Sequence, residues 1–392
     1  MRIIFVVMMM LFGFGIALTN HAQDTAQPTP ADEQHSVPLE DIIIDDFSNF
    51  SDRFLPYSKA TQEHILLAQN RSRPFCQELA ASCFPPIYEA VAEANQWLKP
   101  DSLVLGYLTS QGQAYAYPFD ILKFHGIVSD VIEEQPILIT YCVYCNSAAI
   151  FSRALDGTIL NFGNMSAYYQ DIGTMYDLQT ESLWLVIDGR AILGSYTDSK
   201  LEQLTATIST WALWEQTYPD TQVLARRENY VNYDQNIFTG YQTRINLGRF
   251  VFPVTAQLLA DNRLQYGEQV LVVNLDQPDD AVAYPLAALG DGVKVDNLAG
   301  IDVAIFSLNS EGHMLGAAYQ THLEDGTPTD LSFDSETKLW YDGLTGSVID
   351  FSGQFISGPL ASQRLIPLTS SYTYWFAAIA INPEVTVYQL EG

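Results

Sequence analysis

Basic residues are scarce in this sequence, which has 18 Lys and Arg among 392 residues against 46 Asp and Glu. The formal net charge of -28 at pH 7 repels phosphate backbones and anionic membrane surfaces. We therefore expect no nucleic-acid partner. The acidic surface is typical of extracellular proteins, in which it maintains solubility.

The usual sequence signatures of catalysis are also missing. There is no P-loop, no G-x-G-x-x-G after a strand and no G-x-S-x-G elbow, so the standard evidence for nucleotide binding or an α/β-hydrolase is lacking. A hydrolase with an unrecognised carboxylate site stays open as one hypothesis, although nothing in the sequence selects its residues. Whether the chain is an enzyme is undecided at this point.

Long hydrophobic runs are confined to the N-terminus. Arg2 is followed by an almost wholly apolar stretch over residues 3–18 and then by polar residues, which predicts a signal peptide over residues 1–22. We therefore expect a periplasmic or secreted protein with no transmembrane segment after cleavage. An uncleaved membrane anchor is the alternative.

Cysteine is rare, with four residues in the chain. Export implies an oxidising environment, and four thiols allow three pairings. The pairing between neighbours in sequence joins Cys76 to Cys83 and Cys142 to Cys145. The second pair forms a Cys-x-x-Cys motif.

Aromatic residues are abundant, with 22 Tyr and 20 Phe, and they favour strands over helices. Residues 23–58 lack a clear period and predict a flexible tail. Residues 59–100 form a helical lead-in, with the best helical patterns at 60–70 and 88–98. From residue 101 onward, short apolar runs separated by Gly, Asp-Gly and Pro predict antiparallel strands.

An internal repeat organises the rest of the chain. Residues 103–224 align with residues 269–390, and the matched segments are Ala116-Tyr117-Pro118 with Ala283-Tyr284-Pro285, Asp130 with Asp296, Asp156-Gly157 with Asp325-Gly326, Asp177-x-x-Thr180-x-Ser182 with Asp342-x-x-Thr345-x-Ser347, and Trp211 with Trp375. We predict a mostly β (α+β) fold made of two tandem copies of one antiparallel β-rich domain. The copies occupy residues 101–224 and 267–392, and a linker over 225–266 contains a strand-like segment at 249–257.

Four positions differ between the two copies in a chemically suggestive way. The first copy has His125, Cys142, Cys145 and Met175 where the second has Asp291, Leu308, Glu311 and Trp340. Imidazole, thiolate and thioether are together the ligand set of copper, and without the thioether they suit zinc. The strand over 137–141 and the next over 148–151 place the Cys-x-x-Cys on their connection.

Three interpretations of Cys142 and Cys145 stay open from the residues alone: an inert disulfide that closes the turn, a thiol redox pair, and a metal site. One Cys-x-x-Cys without a second pair is incomplete for structural zinc. No helix begins after Cys142, and a helix N-terminus is what usually activates such a thiol. His125 also fits a hydrogen-bonded residue at a strand end, and Met175 also fits core packing.

The chain resembles the exported bacterial proteins grouped as domain of unknown function 3179. The resemblance runs from about residue 84 to the C-terminus and is carried by Ala116-Tyr117-Pro118, His125-Gly126-Ile127-Val128, Thr140 to Ala148, Met175 to Trp184, and Trp211-Ala212-Leu213-Trp214. The family usually has Pro after the first Cys and Gly after the second, where this chain has Val143 and Asn146. It usually has Glu and Asn near the His, where this chain has Gly126 and Ser129. Some relatives carry selenocysteine in this segment, which implies redox or soft-metal chemistry at Cys142 and Cys145. The family has no established activity to carry over.

Two main hypotheses result. In the first, Cys142 and Cys145 form a thiol redox or soft-metal site, with copper or zinc as the metal and His125 and Met175 as further ligands or tuning groups. In the second, the protein is a non-catalytic extracytoplasmic binding or scaffold protein whose cysteines form structural disulfides. The sequence does not identify a small-molecule or protein partner.

Overall fold

The structure is a computed structural model that describes residues 34–47, 52–69, 74–76, 83–236, 238–275 and 281–389. The expected signal peptide, residues 1–22, lies outside this range. Strands account for 41% and helices for 15%, so the described chain is mostly β, with eight helices. None of the helices in these ranges has the length and hydrophobicity needed to cross a membrane.

The described residues before 101 form short elements. They are β1 (Ile42–Asp45), β2 (Phe54–Pro56), a 3-10 turn (Tyr57–Lys59), α1 (Gln62–Gln69), β3 (Phe75–Cys76), β4 (Tyr88–Glu89) and α2 (Val91–Ala94). Helix α1 lies within the predicted helical range of 60–70. In the other predicted range, 88–98, only α2 is an α-helix, because Tyr88 and Glu89 pair with a later strand.

The predicted flexible tail over residues 23–58 is wrong for part of its described portion. Ile42, Ile43 and Ile44 are buried in β1, which pairs with β2 on one side and with a strand of the first half on the other. Because both faces of β1 are covered, its residues show no alternation of apolar and polar side chains. The periodicity that usually identifies a strand is therefore absent from this segment.

Residues 101–224, called the first half here, contain three sheets. The elements are β5 (Leu103–Leu108), β6 (Ala114–Pro118), α3 (Phe119–His125), β7 (Ile127–Ile132), β8 (Gln135–Cys142), β9 (Ser147–Ser152), β10 (Ala154–Leu155), β11 (Thr158–Ile159), β12 (Phe162–Tyr169), β13 (Ile172–Asp177), β14 (Leu183–Leu185), β15 (Ala191–Leu193), β16 (Gln203–Leu204), β17 (Thr207–Thr210), α4 (Trp211–Thr217) and β18 (Gln222–Leu224). The sheet orders are β17-β5-β6-β18-β4, β16-β9-β8-β7-β3 and β15-β14-β13-β12-β1-β2, and β10 and β11 form a separate hairpin.

Residues 267–392, called the second half, also contain three sheets in their described part. The elements are β19 (Gln269–Val273), β20 (Val282–Pro285), α7 (Leu286–Leu289), β21 (Gly292–Leu298), β22 (Ile301–Ser310), β23 (His313–Gln320), β24 (Leu331–Asp334), β25 (Leu339–Asp342), β26 (Val348–Ile349), β27 (Phe355–Ser357), β28 (Ser370–Tyr374), α8 (Trp375–Ile381) and β29 (Thr386–Val387). The sheet orders are β28-β19-β20-β29, β21-β22-β23 and β24-β25-β26-β27. In each half one late strand pairs parallel to an early one, β18 to β6 and β29 to β20.

The halves contact each other through strands on both sides of their interface. Strand β28 of the second half packs beside β9 of the first, and β17 of the first packs beside β23 of the second. The Thr210 and Ser310 hydroxyls are hydrogen-bonded at 2.6 Å on one side. On the other side, the Tyr374 N–H donates to the Cys145 carbonyl at 2.9 Å.

The linker segment, residues 225–266, contains helices α5 (Tyr241–Asn246) and α6 (Ala256–Ala260). The predicted strand over 249–257 is wrong, since these nine residues are all described and contain no strand. Their backbone N–H groups are instead bonded by side chains at the β12–β13 turn, where Gln170 accepts from the Thr255 N–H at 2.8 Å. Side-chain acceptors replace a partner strand, and sequence periodicity does not report them.

Candidate functional site

Cys142 and Cys145 lie on the tight connection between β8 and β9, called the Cys turn here (residues 142–147). Cys142 pairs with Ser147 across the strands, and Asn146 closes the turn in the left-handed region at φ 49°. The two cysteines form a disulfide, with their Cα atoms 5.2 Å apart. Cys142 is 3% exposed and Cys145 is fully buried. The predicted local pairing and its place between two strands are therefore confirmed.

A backbone N–H points at one of the two sulfurs. The Cys145 N–H donates a hydrogen bond to Cys142 Sγ at 3.2 Å. Hydrogen bonds of this kind favour the anionic form of their acceptor. The turn therefore distinguishes the two sulfurs chemically, even though no helix begins at Cys142.

Tyr144, between the two cysteines, is enclosed by four aromatic rings. Tyr168, Phe238, Tyr241 and Phe252 lie with their ring centroids 5.4 to 5.7 Å from that of Tyr144. Burial raises the pKa of the Tyr144 hydroxyl to about 12, so it is a neutral phenol at physiological pH. Three of these rings come from residues 238–252, which therefore cover the Cys turn.

Asp171, at the tip of the β12–β13 turn, holds that covering segment in place. Its buried carboxylate accepts hydrogen bonds from the Tyr241 hydroxyl, from the Val251 N–H at 3.3 Å and from the Phe252 N–H at 3.0 Å. Burial raises the pKa of the Asp171 carboxyl to about 6, against the opposing effect of these donors. The cover of the Cys turn thus depends on one desolvated carboxyl group.

The Cys turn is also attached to the second half. The Cys145 carbonyl accepts from the Thr373 hydroxyl at 3.3 Å as well as from the Tyr374 N–H, and the Asn146 side-chain amide donates to Gln269 at 3.1 Å. A cleft of about 990 Å³ opens beside the turn, with Val143 and Asn146 in its wall. The turn therefore lies at the junction of the halves, buried at its sulfurs and open to a cleft at its flanking residues.

His125 lies at the end of helix α3, within an aromatic group. Its Nε2 is hydrogen-bonded to the Tyr233 hydroxyl at 2.7 Å, and its ring centroid is 4.3 Å from that of Phe75, 4.9 Å from Tyr230 and 6.0 Å from Phe84. The side chain is fully buried. His125 is thus a hydrogen-bonded, aromatic-packed residue in this structure.

Met175 lies on β13, directly opposite Trp184 of β14. In the second half the equivalent pair is Trp340 and Ile349. Both halves therefore place one Trp in this pair, on opposite strands. The difference between Met175 and Trp340 is therefore explained by packing: the Trp of the pair is on one strand in the first half and on the opposite strand in the second.

The structure joins the two cysteines and separates them from the predicted imidazole ligand. Cys142, Cys145 and Met175 belong to one hydrophobic cluster, whereas the rings around His125 belong to another. No group of three or more His, Cys, Asp and Glu side chains that could hold a metal ion is found among the described residues. In this oxidised form the four predicted ligands do not fit copper or zinc, because the two sulfurs are bonded to each other.

The other cysteine pair is confirmed as well. Cys76 and Cys83 form a disulfide, with Cα atoms 5.7 Å apart. The Cys76 N–H donates to the Phe84 carbonyl at 2.8 Å, and the Phe84 N–H donates to the Pro74 carbonyl at 2.9 Å. The two segments that the disulfide joins are therefore also held together by backbone hydrogen bonds. The disulfide lies near His125 through its neighbours Phe75 and Phe84.

Sequence reasoning missed Tyr372 and Tyr374 of β28, which line the cleft beside the Cys turn. The aligned positions of the first half are Ile208 and Thr210. The signal was available in the comparison of the copies, since aromatic residues present only in the second copy are as informative as sulfur present only in the first.

Comparison with known proteins identifies a family and no activity. No match was found among curated proteins or among solved structures. The family match includes the Cys turn, the linker segment and nearly all of the second half. With residues 82–385 matching its pattern, the chain belongs to the family described as protein of unknown function (DUF3179).

Proposed function

We propose that this chain is an exported thiol–disulfide redox protein in which Cys142 and Cys145 are the reactive pair. The observation that carries the proposal is the hydrogen bond from the Cys145 N–H to Cys142 Sγ. Once the disulfide opens, this donor stabilises a thiolate on Cys142 and makes Cys142 the better leaving group in thiol exchange.

In the oxidised form the pair accepts two electrons from a substrate dithiol. A substrate thiolate attacks Cys142 Sγ, the bond to Cys145 breaks, and Cys145 leaves as a thiolate that takes up a proton. The second substrate thiolate attacks the substrate sulfur of this mixed disulfide, and Cys142 leaves as a thiolate next to the Cys145 N–H. The substrate is oxidised to a disulfide and the protein is left as a dithiol.

The geometry of the turn argues against a purely structural bridge. Cys142 is already paired with Ser147, and the Cys145 carbonyl is already bonded by β28. A disulfide stabilises mainly by restricting a loop that would otherwise be free, and the effect is smallest for short loops. The bridge therefore adds little constraint to a turn that is held without it.

Export is supported by the sequence and by the state of the cysteines. The apolar stretch over residues 3–18 has the length of a signal peptide, and all four cysteines are in disulfides. A periplasmic or secreted location supplies both the oxidising environment and thiol substrates.

The repeated architecture forms a second part of the proposal, in which the two halves are copies of one unit. The matching strand orders, and the reciprocal contacts of β28 with β9 and of β17 with β23, support it. So does the hydrogen bond of Tyr284 to Asp296 at 2.7 Å, which has a counterpart in the Tyr117, Tyr88 and Asp130 side chains. Residues kept in both halves then serve the fold, and the cysteines of the first half serve the function.

A binding or scaffold protein with structural disulfides is the second candidate, and the burial of both sulfurs favours it. Exchange at a buried disulfide requires movement of the Cys turn or of residues 238–252. The redox proposal therefore includes such an opening, whereas the scaffold alternative does not.

Copper or zinc binding is a separate prediction that concerns the reduced protein. Reduction would free two thiolates in the hydrophobic cluster that also contains Met175, while His125 would have to leave its aromatic group. Elemental analysis of reduced wild type and of Cys142→Ser after exposure to each metal tests this prediction. Stoichiometric metal that is lost in the variant would support it.

The redox proposal is tested by comparing the two disulfides within one molecule. The mature protein is equilibrated in graded mixtures of reduced and oxidised glutathione, and each pair is scored by alkylation and mass spectrometry. We expect Cys142–Cys145 to open under less reducing conditions than Cys76–Cys83 in the folded protein. If neither pair opens before global unfolding, the scaffold alternative holds.

Variants that keep only one cysteine of the Cys142–Cys145 pair identify the reactive sulfur. In Cys145→Ser the remaining Cys142 should form a mixed disulfide with glutathione at least ~10-fold faster than Cys145 does in Cys142→Ser. Met175→Leu and the double variant Cys76→Ser/Cys83→Ser are the controls, and each should retain reduction of the Cys142–Cys145 pair. Equal reactivity of the two single-cysteine variants would contradict the role of the N–H donor.

A further inference from the structure

The cleft beside the Cys turn is built by both halves and by the linker segment. It has a volume of about 990 Å³, with walls from β8 and α3 of the first half, from β28 of the second half, and from residues 238–242. This is the size of a site for a small organic ligand of several rings. The chemistry of its walls indicates the class of ligand.

Three tyrosines line the cleft with hydroxyls that have no hydrogen-bond partner among the described residues. They are Tyr141, Tyr372 and Tyr374, and Tyr372 is only 5% exposed. Other buried tyrosines of this protein are satisfied, as Tyr284 is by Asp296 and Tyr319 is by the Phe351 carbonyl. None of the three hydroxyl oxygens is a buried atom without a partner, so each is open to the cleft and can bond a ligand there.

The open hydroxyls are neutral donors and acceptors. Burial raises the pKa of Tyr141 and Tyr372 well above 10 and that of Tyr374 to about 12. A phenol donates one hydrogen bond and accepts others. The ligand must therefore offer groups that both donate and accept.

Amide side chains continue this pattern around the cleft. The amides are Asn146, Asn236, Gln242, Asn246, Gln265 and Gln269. The Nε2 of Gln269 is buried without a hydrogen-bond partner in the described part of the chain. Part of each amide is already bonded within the protein, which leaves the donors Gln265 Nε2 and Gln269 Nε2 and the acceptor Gln242 Oε1 for hydroxyl groups of a ligand.

The charges of the cleft exclude anionic ligands. The charged side chains are Asp101, Asp120, Asp234, Glu268, Lys99 and Lys123. Lys123 is paired with Asp120 and Asp234 with Arg226, each at 2.8 Å. The remaining Asp101 and Glu268 against Lys99 leave an excess of negative charge. Phosphates, nucleotides and acidic sugars would be repelled.

The sheet edge at the cleft is occupied, which disfavours a polypeptide ligand. An extended peptide usually binds by adding a strand to an open edge. Strand β28 is the edge of its sheet, but its Tyr374 N–H already bonds to the Cys145 carbonyl. Recognition here relies on side chains.

We infer that this cleft binds a neutral oligosaccharide through Tyr141, Tyr372, Tyr374 and the surrounding amides. Sugar hydroxyls donate and accept hydrogen bonds, and the apolar faces of the rings pack on tyrosine. The inference goes beyond the redox proposal and does not depend on it. A Cys142→Ser/Cys145→Ser double variant should bind the same ligand.

The test is binding of the mature protein to an array of neutral, acidic and amino-sugar glycans, followed by calorimetry with the best neutral oligosaccharide. Tyr372→Phe should weaken binding about 10-fold, the value of one lost hydrogen bond, and should leave the melting temperature unchanged. Tyr319→Phe is the matched control, because it removes a satisfied hydroxyl from a residue that does not line the cleft. It should lower the melting temperature and leave the affinity unchanged.

Three results would overturn the inference: no neutral glycan bound on the array, preferential binding of acidic glycans, or equal affinity of wild type and Tyr372→Phe. Failure of the redox proposal has a different signature, in which glycan binding persists while the Cys142–Cys145 pair stays closed to glutathione.

Discussion

Among the single residues near the Cys turn, Asp171 has a carboxyl group whose pKa is raised by burial. Asp171 lies on the β12–β13 turn with a backbone φ of 64°. Its carboxyl group accepts three hydrogen bonds, which lower its pKa. Burial outweighs them and raises the pKa to about 6. The folded state therefore binds this proton more tightly than the unfolded state, in which the pKa is 3.8. The contribution of Asp171 to stability is full below pH 3.8 and is lost as the pH rises to about 6.

Substitution of this residue should change the pH dependence of unfolding. Between pH 4 and pH 7 the free energy of unfolding of wild type should fall by about 2 kcal/mol more than that of Asp171→Asn, since the variant has no carboxyl to ionise. Urea titrations at each pH measure the difference. Asp101→Asn, at an exposed position, is the control and should follow wild type. Parallel pH profiles for wild type and Asp171→Asn would contradict the assignment.

For single residues, the sequence predicted which cysteines pair better than it predicted what surrounds His125. Local spacing was sufficient to pair the cysteines, because each pair is separated by few residues, but it left open whether Cys142 and Cys145 form a disulfide, a dithiol or a metal site. The surroundings of His125 were not predictable, since Phe75 and Tyr233 come from distant parts of the chain and no periodicity connects them. A ligand set read from residue types alone could not reveal that the rings around the imidazole belong to a different hydrophobic cluster from the two cysteines.

Between elements, the contact of β5 with α4 depends on a glycine. A Cβ atom built on Gly106 would collide with the ring of Trp214 on α4. The aligned positions of the second half carry Val272 and Ala378, so there the larger residue is on the strand and the smaller one on the helix. In the first half the small residue of the pair is on the strand and the large one is on the helix, and in the second half the arrangement is reversed.

Gly106→Ala should therefore destabilise the protein by about 3 kcal/mol, the cost of an extra methyl group in a packed core. In a Trp214→Phe background the same change should cost at least about 1 kcal/mol less, because the smaller ring leaves room. Thermal and urea unfolding of the four proteins gives the coupling energy. A coupling near zero would show that the collision is relieved elsewhere.

Strands with turn signals were predictable, and strands or segments fixed by tertiary contacts were not. The runs before and after the Cys turn are β8 and β9, as the apolar pattern predicts. Strand β1 was missed because it is covered on both faces, and residues 249–257 were assigned to a strand because side-chain acceptors such as Gln170 leave no pattern in sequence.

For the whole molecule, the proposed duplication makes matched positions comparable by experiment. Gly194 and Gly358 have φ of 97° and 91°, and a Cβ atom on either would lie 2.6 to 2.8 Å from atoms of Ser182 or Ser347. Gly194→Ala and Gly358→Ala should each cost about 2 to 4 kcal/mol, since they combine left-handed strain with a collision. Equilibrium unfolding of both variants measures the two losses.

The control for this pair is the glycine of the Asp-Gly turn in each half. Gly157 and Gly326 have φ of 77° and 82° with open space around them. Their Ala variants should lose only about 1 kcal/mol. A cost at Gly194 that differs strongly from that at Gly358 would show that the two halves do not share the same local structure.

The cleft was beyond sequence reasoning because it exists only where the halves meet. Tyr141 comes from β8 and Tyr372 from β28, and their proximity depends on how β28 packs beside β9. No local pattern reports this packing. Comparison of the copies could have singled out Tyr372, but not what lies opposite it.

Because the two halves belong to one chain, the two sides of their interface can differ in sequence. In a dimer of identical chains, every substitution is made twice, so a site on the symmetry axis must itself be symmetric and a site off the axis is duplicated. Here one side carries Tyr374 against the Cys turn, while the other carries Thr210 against Ser310. A tethered pair also stays assembled at any dilution, because its effective concentration is set by the linker. A single asymmetric cleft can therefore be refined while the opposite side continues to hold the halves together.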